Sequence, residues 1–84
     1  MDKEIGKVIH FYNKISVAVV SLKDSLSVGD EVHFLDGKRG TDFTQKVESI
    51  ELDHQSVTSA KKGTEAAIKV DQPLHEGALL YKDQ

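Results

Sequence analysis

The stretch "TDFTQKVESIELDH", residues 41–54, decides the fold class because it fits either a helix or a strand. The spacing of one helix face recurs at Phe43, Val47 and Ile50. Asp42 and Gln45 would then form a capping box at the start of that helix.

Read as a strand, the same stretch changes the face of its apolar residues half-way along. One face carries Phe43, Gln45 and Val47. Ile50 and Leu52 have the opposite parity, so a β-bulge near Glu48–Ser49 is needed to turn both apolar sets inward. The local pattern leaves helix and strand open.

The chain before this stretch predicts a hairpin. "EIGKVIHFY" (4–12) and "ISVAVVSL" (15–22) are rich in β-branched and aromatic residues, and Asn13–Lys14 between them suits a tight turn because Asn tolerates positive φ. The second segment is apolar on both faces. We therefore expect its strand to be central in the sheet.

"LSVGDEVHFL", residues 26–35, predicts a turn followed by a half-buried strand. Val32 and Phe34 alternate with polar neighbours, as on a sheet with one solvent-exposed face. Gly29 suits a backbone conformation that side chains with a Cβ adopt reluctantly, and Asp30 can accept hydrogen bonds from nearby amides.

Two further alternating segments, "GTEAAIKVD" (63–71) and "ALLYK" (78–82), complete a set of six or seven short strands. Short strands with closely spaced turns are typical of a small barrel or sandwich. The predicted core comprises Val8, Ala18, Val20, Leu22, Val32, Phe34, Val47, Ile50, Ile68 and Val70.

Composition restricts the class of protein. With 84 residues, 38% of them hydrophobic, the chain suffices for one small domain, and the absence of cysteine excludes disulfides and thiolate metal sites. No apolar run approaches the roughly 20 residues of a membrane span, and no signal-peptide pattern opens the chain. We expect a cytoplasmic protein without membrane contact.

The residue types of catalytic and metal sites are present but not in functional spacing. The histidines His10, His33, His54 and His75 form no HxxxH pair, and no serine lies in a GxSxG elbow. The phosphate-binding pattern GxxxxGK[ST] is missing. The sequence therefore predicts no catalytic residue, no metal, no nucleotide and no other cofactor.

Basic residues form three small groups that are candidates for binding RNA or a protein partner: Lys38 and Arg39, Lys46, and Lys61 and Lys62. If two of their loops meet at one end of a barrel, they can bind phosphates. The net charge of −3 argues against a generic duplex-binding surface.

The order of these segments resembles domain two of translational GTPases of the elongation factor Tu type, which is a small β-barrel. The resemblance covers residues 5–82 and is carried by "IGKVIHF", "LSVGDEVHFL", "QKVESIELD", "VTSAKKGTEAAIKVD" and "LHEGALLYK". The chain looks still more like small stand-alone proteins labelled translation elongation factor-like. It is also similar to the C-terminal barrel of some collagenase-like peptidases.

The resemblance implies a strand at residues 43–53 and therefore an all-β fold. We expect a single closed Greek-key-like barrel of the domain-two type over residues 1–84, with a core of about 5–82 and frayed ends at 1–3 and 83–84. It also implies that the Gly-Asp step is a structural turn. Structural turns are expected at Gly29, Asp30, Gly37, Gly63 and Gly77.

The resemblance implies two alternative functions, neither of them enzymatic. The first is an interaction module that docks on RNA, such as tRNA or the ribosome, or on a protein in a translation-related context. The second is an accessory subunit that stands in for the C-terminal barrel of a collagenase-like peptidase and positions substrate for a separate catalytic chain.

Overall fold

The computed structural model describes residues 2–83, which form ten β-strands and no helix. The strands are β1 Asp2–Tyr12, β2 Val17–Leu22, β3 Leu26–Ser27, β4 Glu31–Asp36, β5 Thr41–Lys46, β6 Ile50–Leu52, β7 Gln55–Val57, β8 Ser59–Ala60, β9 Glu65–Lys69 and β10 Leu79–Asp83. The all-β prediction is confirmed. Since the described residues contain no helix, they include none that is long and apolar enough to cross a membrane.

The strand count exceeds the predicted six or seven because four strands of two or three residues are too short to show a period. Eight strands form one antiparallel sheet in the order β5-β4-β10-β1-β2-β9-β6-β7, and β3 pairs with β8. The predicted central position of β2 is confirmed, since it lies between β1 and β9.

The predicted closure of the sheet into a barrel is not confirmed. The sheet has two edges, β5 and β7, and no backbone ladder joins them within residues 2–83. The side chain of Gln45 in β5 nevertheless reaches the end of β9, where it contacts the backbone of Lys69 and, just beyond the strand, of Asp71. The sheet is therefore curled around its core, and a side chain spans the space between β5 and β9.

Residues 41–54 form strands, but the bulge expected near Glu48–Ser49 is wrong. A bulge would leave the chain paired with the same neighbour. Here the chain stops pairing after Lys46 in β5, beside β4, and resumes at Ile50 in β6, between β7 and β9. Val47 holds the crossing in place: its amide donates to the carbonyl of Asp30 at 2.8 Å.

The hairpin of β1 and β2 has a longer turn than predicted. Residues 13–16 connect the strands, and the positive φ of 55° lies at Ser16 rather than at Asn13. The carbonyl of Ser16 accepts a 2.9 Å hydrogen bond from the amide of Val70, so tertiary contact fixes the turn. The register of β1 against β2 shifts between Val8 and His10.

One cluster of buried side chains fills the inside of the curled sheet. All ten predicted core residues belong to it. The cluster also contains Ile5, Leu26, Phe43, Ala60, Ala66, Leu74, Ala78 and Leu80, which were not predicted. Several of these, such as Leu26 and Leu74, lie in very short strands or loops, where no alternation marks the buried position.

The chain ends expected to fray are partly outside the described residues. Residues 1 and 84 are not described. The backbone of Lys3 pairs with that of Lys82, so β1 and β10 remain adjacent close to both ends of the chain.

Candidate functional site

The five predicted basic residues do not form one patch. Lys38 and Arg39 lie in the turn between β4 and β5, whereas Lys46 lies at the opposite end of that hairpin. Five residues of strand separate the two ends, which is about 17 Å at ~3.4 Å per residue. Lys61 and Lys62 lie elsewhere, in the turn after β8.

The basic groups also have acidic neighbours. Lys38 and Arg39 line a shallow groove together with Lys7, but Asp36 and Glu76 line the same groove. Lys46 lies opposite Glu31 in the β4–β5 ladder. The structure therefore supplies alternating charge rather than the continuous basic path that would follow a phosphate backbone.

The Gly29–Asp30 step forms a turn tied to three other parts of the chain. Gly29 has a φ of 96°, and its amide donates to the carbonyl of Val47 at 2.8 Å. The Asp30 carboxylate accepts a 2.9 Å hydrogen bond from the Ser27 amide and lies 3.4 Å from the ammonium of Lys82. The Asp30 side chain therefore stabilises the turn through contacts within the domain.

The other predicted turn glycines also lie at bends of the backbone. Gly63 and Gly77 have φ values of 88° and 98°. The turn at 37–40 has its positive φ, 70°, at Gly40 rather than at Gly37. A Cβ built on any of these glycines meets no heavy atom within 4 Å, so backbone conformation rather than space favours glycine where φ is positive.

The histidines are dispersed over the surface. His33 contacts the carboxylate of Asp42 across β4 and β5, and His10 lies 3.7 Å from Glu76 with its ring against Tyr12. Among residues 2–83, no group of three or more histidine, aspartate or glutamate side chains has the arrangement of a metal site.

A groove with an apolar floor lies on the outer face of β2, β9 and β6. Alternation turns Ala18 and Val20 into the core, and the intervening residues face outward. Val19 pairs with Ala67, which in turn pairs with Glu51, so these three side chains form one row across the strands. The floor of this groove consists of Tyr12, Ile15, Val17, Val19 and Ala67.

Two large apolar side chains of the floor are strongly exposed. Ile15 is 61% exposed and Tyr12 is 49% exposed. Tyr12 ends β1 and lies opposite Val17 in the ladder, and Ile15 lies in the turn that joins β1 to β2. Adjacent exposed apolar side chains on a small domain are a common mark of a contact surface.

The rim of the groove is acidic. Three carboxylates line it, those of Glu51, Asp53 and Glu65, and none has an ion-pair partner among the described residues. Two lysines lie at one end: Lys14 next to Ile15 in the chain, and Lys69 opposite Val17. Neither lysine lines the groove.

An unusual turn forms part of the same rim. Asp53 and His54 connect β6 to β7, and both have positive φ, 53° and 65°. This is the conformation of a two-residue type I′ hairpin, which Asn-Gly favours. A non-glycine residue in this region costs about 1–3 kcal/mol.

The groove has no distinct pattern in the sequence, because its apolar residues in β2 also fit a strand that is buried on both faces. Val17 and Val19 make β2 apolar on both faces, which correctly predicts a central strand. The same two residues are only half-buried, so the outer face of that strand is incompletely covered. Ile15, outside the strand, was the available sign of exposure.

Comparison with known proteins agrees with an all-β domain of this kind. The model of the peptidase family U32 C-terminal domain matches residues 3–80, nearly the whole chain. The chain belongs to this family.

An uncharacterized protease of Methanocaldococcus jannaschii is 36% identical over 78 residues, covering 93% of this chain and 19% of that protein. A collagenase of Porphyromonas gingivalis is 30% identical over 79 residues, covering 93% of this chain and 22% of that protein. The chain therefore spans about a fifth of the length of these relatives.

Two crystal structures have the same fold. Both are of the C-terminal domain of a Geobacillus thermoleovorans protein assigned to the U32 peptidases. The selenomethionine variant gives a TM-score of 0.89 at 24% identity, covering 95% of this chain and 99% of that chain. The other gives 0.89 at 24%, covering 98% and 93%.

These comparisons separate the two families that the sequence resembles. The likeness to the collagenase-like peptidase C-terminal domain is confirmed by the family match. The comparisons do not show the likeness to domain two of elongation factor Tu, and they give no support to an RNA partner or a translation-related role.

Proposed function

We propose that this U32 C-terminal domain is a non-catalytic docking module that attaches to the catalytic part of a collagenase-like peptidase and helps to position its substrate. The observation that carries the proposal is the family match over residues 3–80, together with relatives named protease and collagenase. The apolar groove supplies a surface suited to such docking.

The small share of each relative that this chain covers favours a non-catalytic role for the domain. The matched segment is about a fifth of each named relative, so most of each relative lies outside it. Within residues 2–83, the ion pairs include two between surface side chains, Lys3 with Asp24 and Lys23 with Glu4. Such surface pairs are typical of a solvated sheet face rather than of an assembled acid–base centre.

A protein partner fits this surface better than RNA does. Apolar side chains are concentrated around Tyr12 and Ile15, whereas the cations that would contact phosphates are separated along the β4–β5 hairpin. The net charge of −3 also opposes a polyanion.

A reconstitution experiment tests the proposal. The Porphyromonas gingivalis collagenase would be prepared without its matched segment, and this chain added as a separate protein. We expect a complex on size-exclusion chromatography and faster cleavage of denatured collagen than by the truncated enzyme alone. Absence of both effects, with the relative's own segment restoring cleavage, would contradict the proposal.

A pull-down from native lysate distinguishes the partner class. Two parallel samples are needed, one treated with nuclease. Protein partners retained after nuclease treatment agree with a docking module. Loss of every partner on nuclease treatment would instead favour the RNA alternative.

A further inference from the structure

We propose that the groove over β2, β9 and β6 binds a peptide segment of a partner protein in which large apolar side chains alternate with lysine or arginine. This inference rests on the proposed docking function and names the chemistry of the docked segment. Tyr12 and Ile15 provide the apolar contact, and Glu51, Asp53 and Glu65 provide the charge contact.

The apolar part of the inference follows from where the exposed side chains lie. The large hydrophobics exposed among residues 2–83 are Ile9, Tyr12, Ile15 and Val28. Tyr12 and Ile15 belong to one groove, whose floor is continued by half-buried Val17 and Val19. A tyrosine beside aliphatic side chains is the kind of anchor that carries much of the energy in protein interfaces.

The preference for lysine or arginine in the docked segment follows from the carboxylates on the rim of the groove. The lining contains three carboxylates and no lysine or arginine. Because these carboxylates have no cationic partner within the described chain, a partner's cations can pair with them without breaking an existing ion pair. Lys14 and Lys69 lie at the Ile15–Val17 end, so the partner's cations are expected toward Glu51 and Glu65.

The same rim disfavours other occupants. A second copy of this chain docked groove to groove would bring its own Glu51, Asp53 and Glu65 into the contact, and like charges would face one another across much of it. An anionic membrane surface would be repelled for the same reason. A cationic apolar segment is the occupant whose charge complements the site.

A nuclear magnetic resonance titration tests this inference on the intact chain. The probe is a short synthetic peptide in which leucine and phenylalanine alternate with lysine and arginine, and its partner probe has glutamate in place of each cation. We expect the basic peptide to shift the amide signals of Tyr12, Val19, Glu51 and Ala67. The acidic peptide should bind at least about ten-fold more weakly.

Matched variants assign the binding to the groove. Ile15→Ser removes an exposed apolar side chain from the floor, and Val28→Ser removes one, 43% exposed, that lies outside the groove. We expect Ile15→Ser to weaken the basic peptide about ten-fold and Val28→Ser to leave its affinity unchanged. Both positions are solvent-exposed, so both variants should fold.

The rim is tested by removing charge. In Glu51→Gln/Glu65→Gln, binding of the basic peptide should weaken and become less sensitive to salt. Glu48→Gln, an exposed site outside the groove lining, is the control and should change neither property.

Several outcomes would overturn the inference. They are amide shifts confined to another face, equal affinity for both peptides, or equal weakening by Ile15→Ser and Val28→Ser. Concentration-dependent sedimentation lost in Ile15→Ser would assign the groove to a second copy. Selective binding of vesicles rich in anionic lipid, with no peptide binding, would assign it to a membrane.

The two proposals can fail separately. If the truncated collagenase binds this chain and the Ile15→Ser variant equally, docking occurs elsewhere, and only the groove assignment is wrong. If the basic peptide binds the groove but the collagenase does not bind, the peptidase context is wrong and the groove assignment stands.

Discussion

The side chain of Gln45 donates a 2.9 Å hydrogen bond to the carbonyl oxygen of Lys69, although β5 and β9 are not neighbours in the sheet. Its amide oxygen accepts a second hydrogen bond, at 2.8 Å, from the backbone of Asp71. Gln45 is 8% exposed and is the buried polar residue of the described chain. It therefore connects β5 to β9 where no backbone ladder does.

We expect Gln45→Ala to destabilise the domain because both of these hydrogen bonds are lost. Each such bond contributes about 0.5–1.5 kcal/mol, so the loss should be about 1–3 kcal/mol of unfolding free energy. Urea denaturation followed by circular dichroism measures it. Thr44→Ala, at the exposed neighbouring position, is the control. Equal midpoints for the two variants would show that Gln45 does not hold the strands together.

Gly6 lies inside β1 at a point where β2 passes too close for a side chain. A Cβ at this position would lie 2.7 Å from Cγ1 of Val20 and 2.9 Å from the carbonyl oxygen of Ser21. We expect Gly6→Ala to lower the unfolding free energy by about 1–3 kcal/mol through overpacking. Gly37→Ala is the control, since a Cβ there meets nothing within 4 Å. A melting temperature unchanged in Gly6→Ala would mean that β1 and β2 separate easily.

A substitution at Gly29 measures the cost of a strained backbone conformation without any steric clash of the new side chain. Its φ is 96° and a Cβ would meet no heavy atom within 4 Å. Gly29→Ala should therefore cost about 1 kcal/mol or more through strain alone. Thermal unfolding against Gly37→Ala, whose φ is not in the positive range, isolates that contribution. If Gly29→Ala and Gly37→Ala have the same melting temperature, the turn adopts another conformation in solution.

Much of the fold could be predicted because its buried positions alternate within strands. Val32 and Phe34 in β4, and Ile68 in β9, show a period of two that local reading detects. The crossing after Lys46 could not be read in this way. Whether a strand keeps its neighbour or changes it depends on contacts distant in sequence, such as the one between Val47 and Asp30.

The candidate site was harder to predict than the core. Its floor combines residues from β1, the following turn, β2 and β9, which come together only through strand pairing. Glu51 and Glu65 look like ordinary solvated residues of two separate strands. Their shared position on the rim of one groove is a property of the sheet, and no local spacing encodes it.

The ion pair of Lys3 with Asp24 predicts a pH effect. A 2.8 Å hydrogen bond from the Lys3 ammonium, then one from the Ser25 amide, hold the pKa of Asp24 below its ordinary value of 3.8. A lowered pKa in the folded state contributes stability above pH 3.8, and that contribution is lost as the pH falls through the folded-state pKa.

The stability difference between the wild-type chain and Asp24→Asn should therefore shrink on acidification from neutral pH to below 3.8. Added salt should also reduce the difference at neutral pH, because the pair is solvent-exposed. Urea unfolding across this pH range measures the difference. Glu48→Gln, which removes an exposed carboxylate without an ion pair, is the control. A difference that grew on acidification would contradict the pairing.

The Asp53–His54 turn predicts a stabilising substitution on the rim of the groove. Type I′ hairpins favour glycine at the second central position, where His54 has a φ of 65°. We expect His54→Gly to raise the unfolding free energy by about 1 kcal/mol. Gln55→Gly, one residue further into β7, should instead lower it by about 0.5–1 kcal/mol.

Urea denaturation measures the unfolding free energy of both variants. The basic-peptide titration on His54→Gly then shows whether the histidine side chain contributes to peptide binding. If His54→Gly is more stable but binds the peptide less tightly, the His54 side chain contributes to peptide binding and lowers the unfolding free energy of the domain. If His54→Gly is less stable than the wild-type chain, the turn is not strained by the histidine.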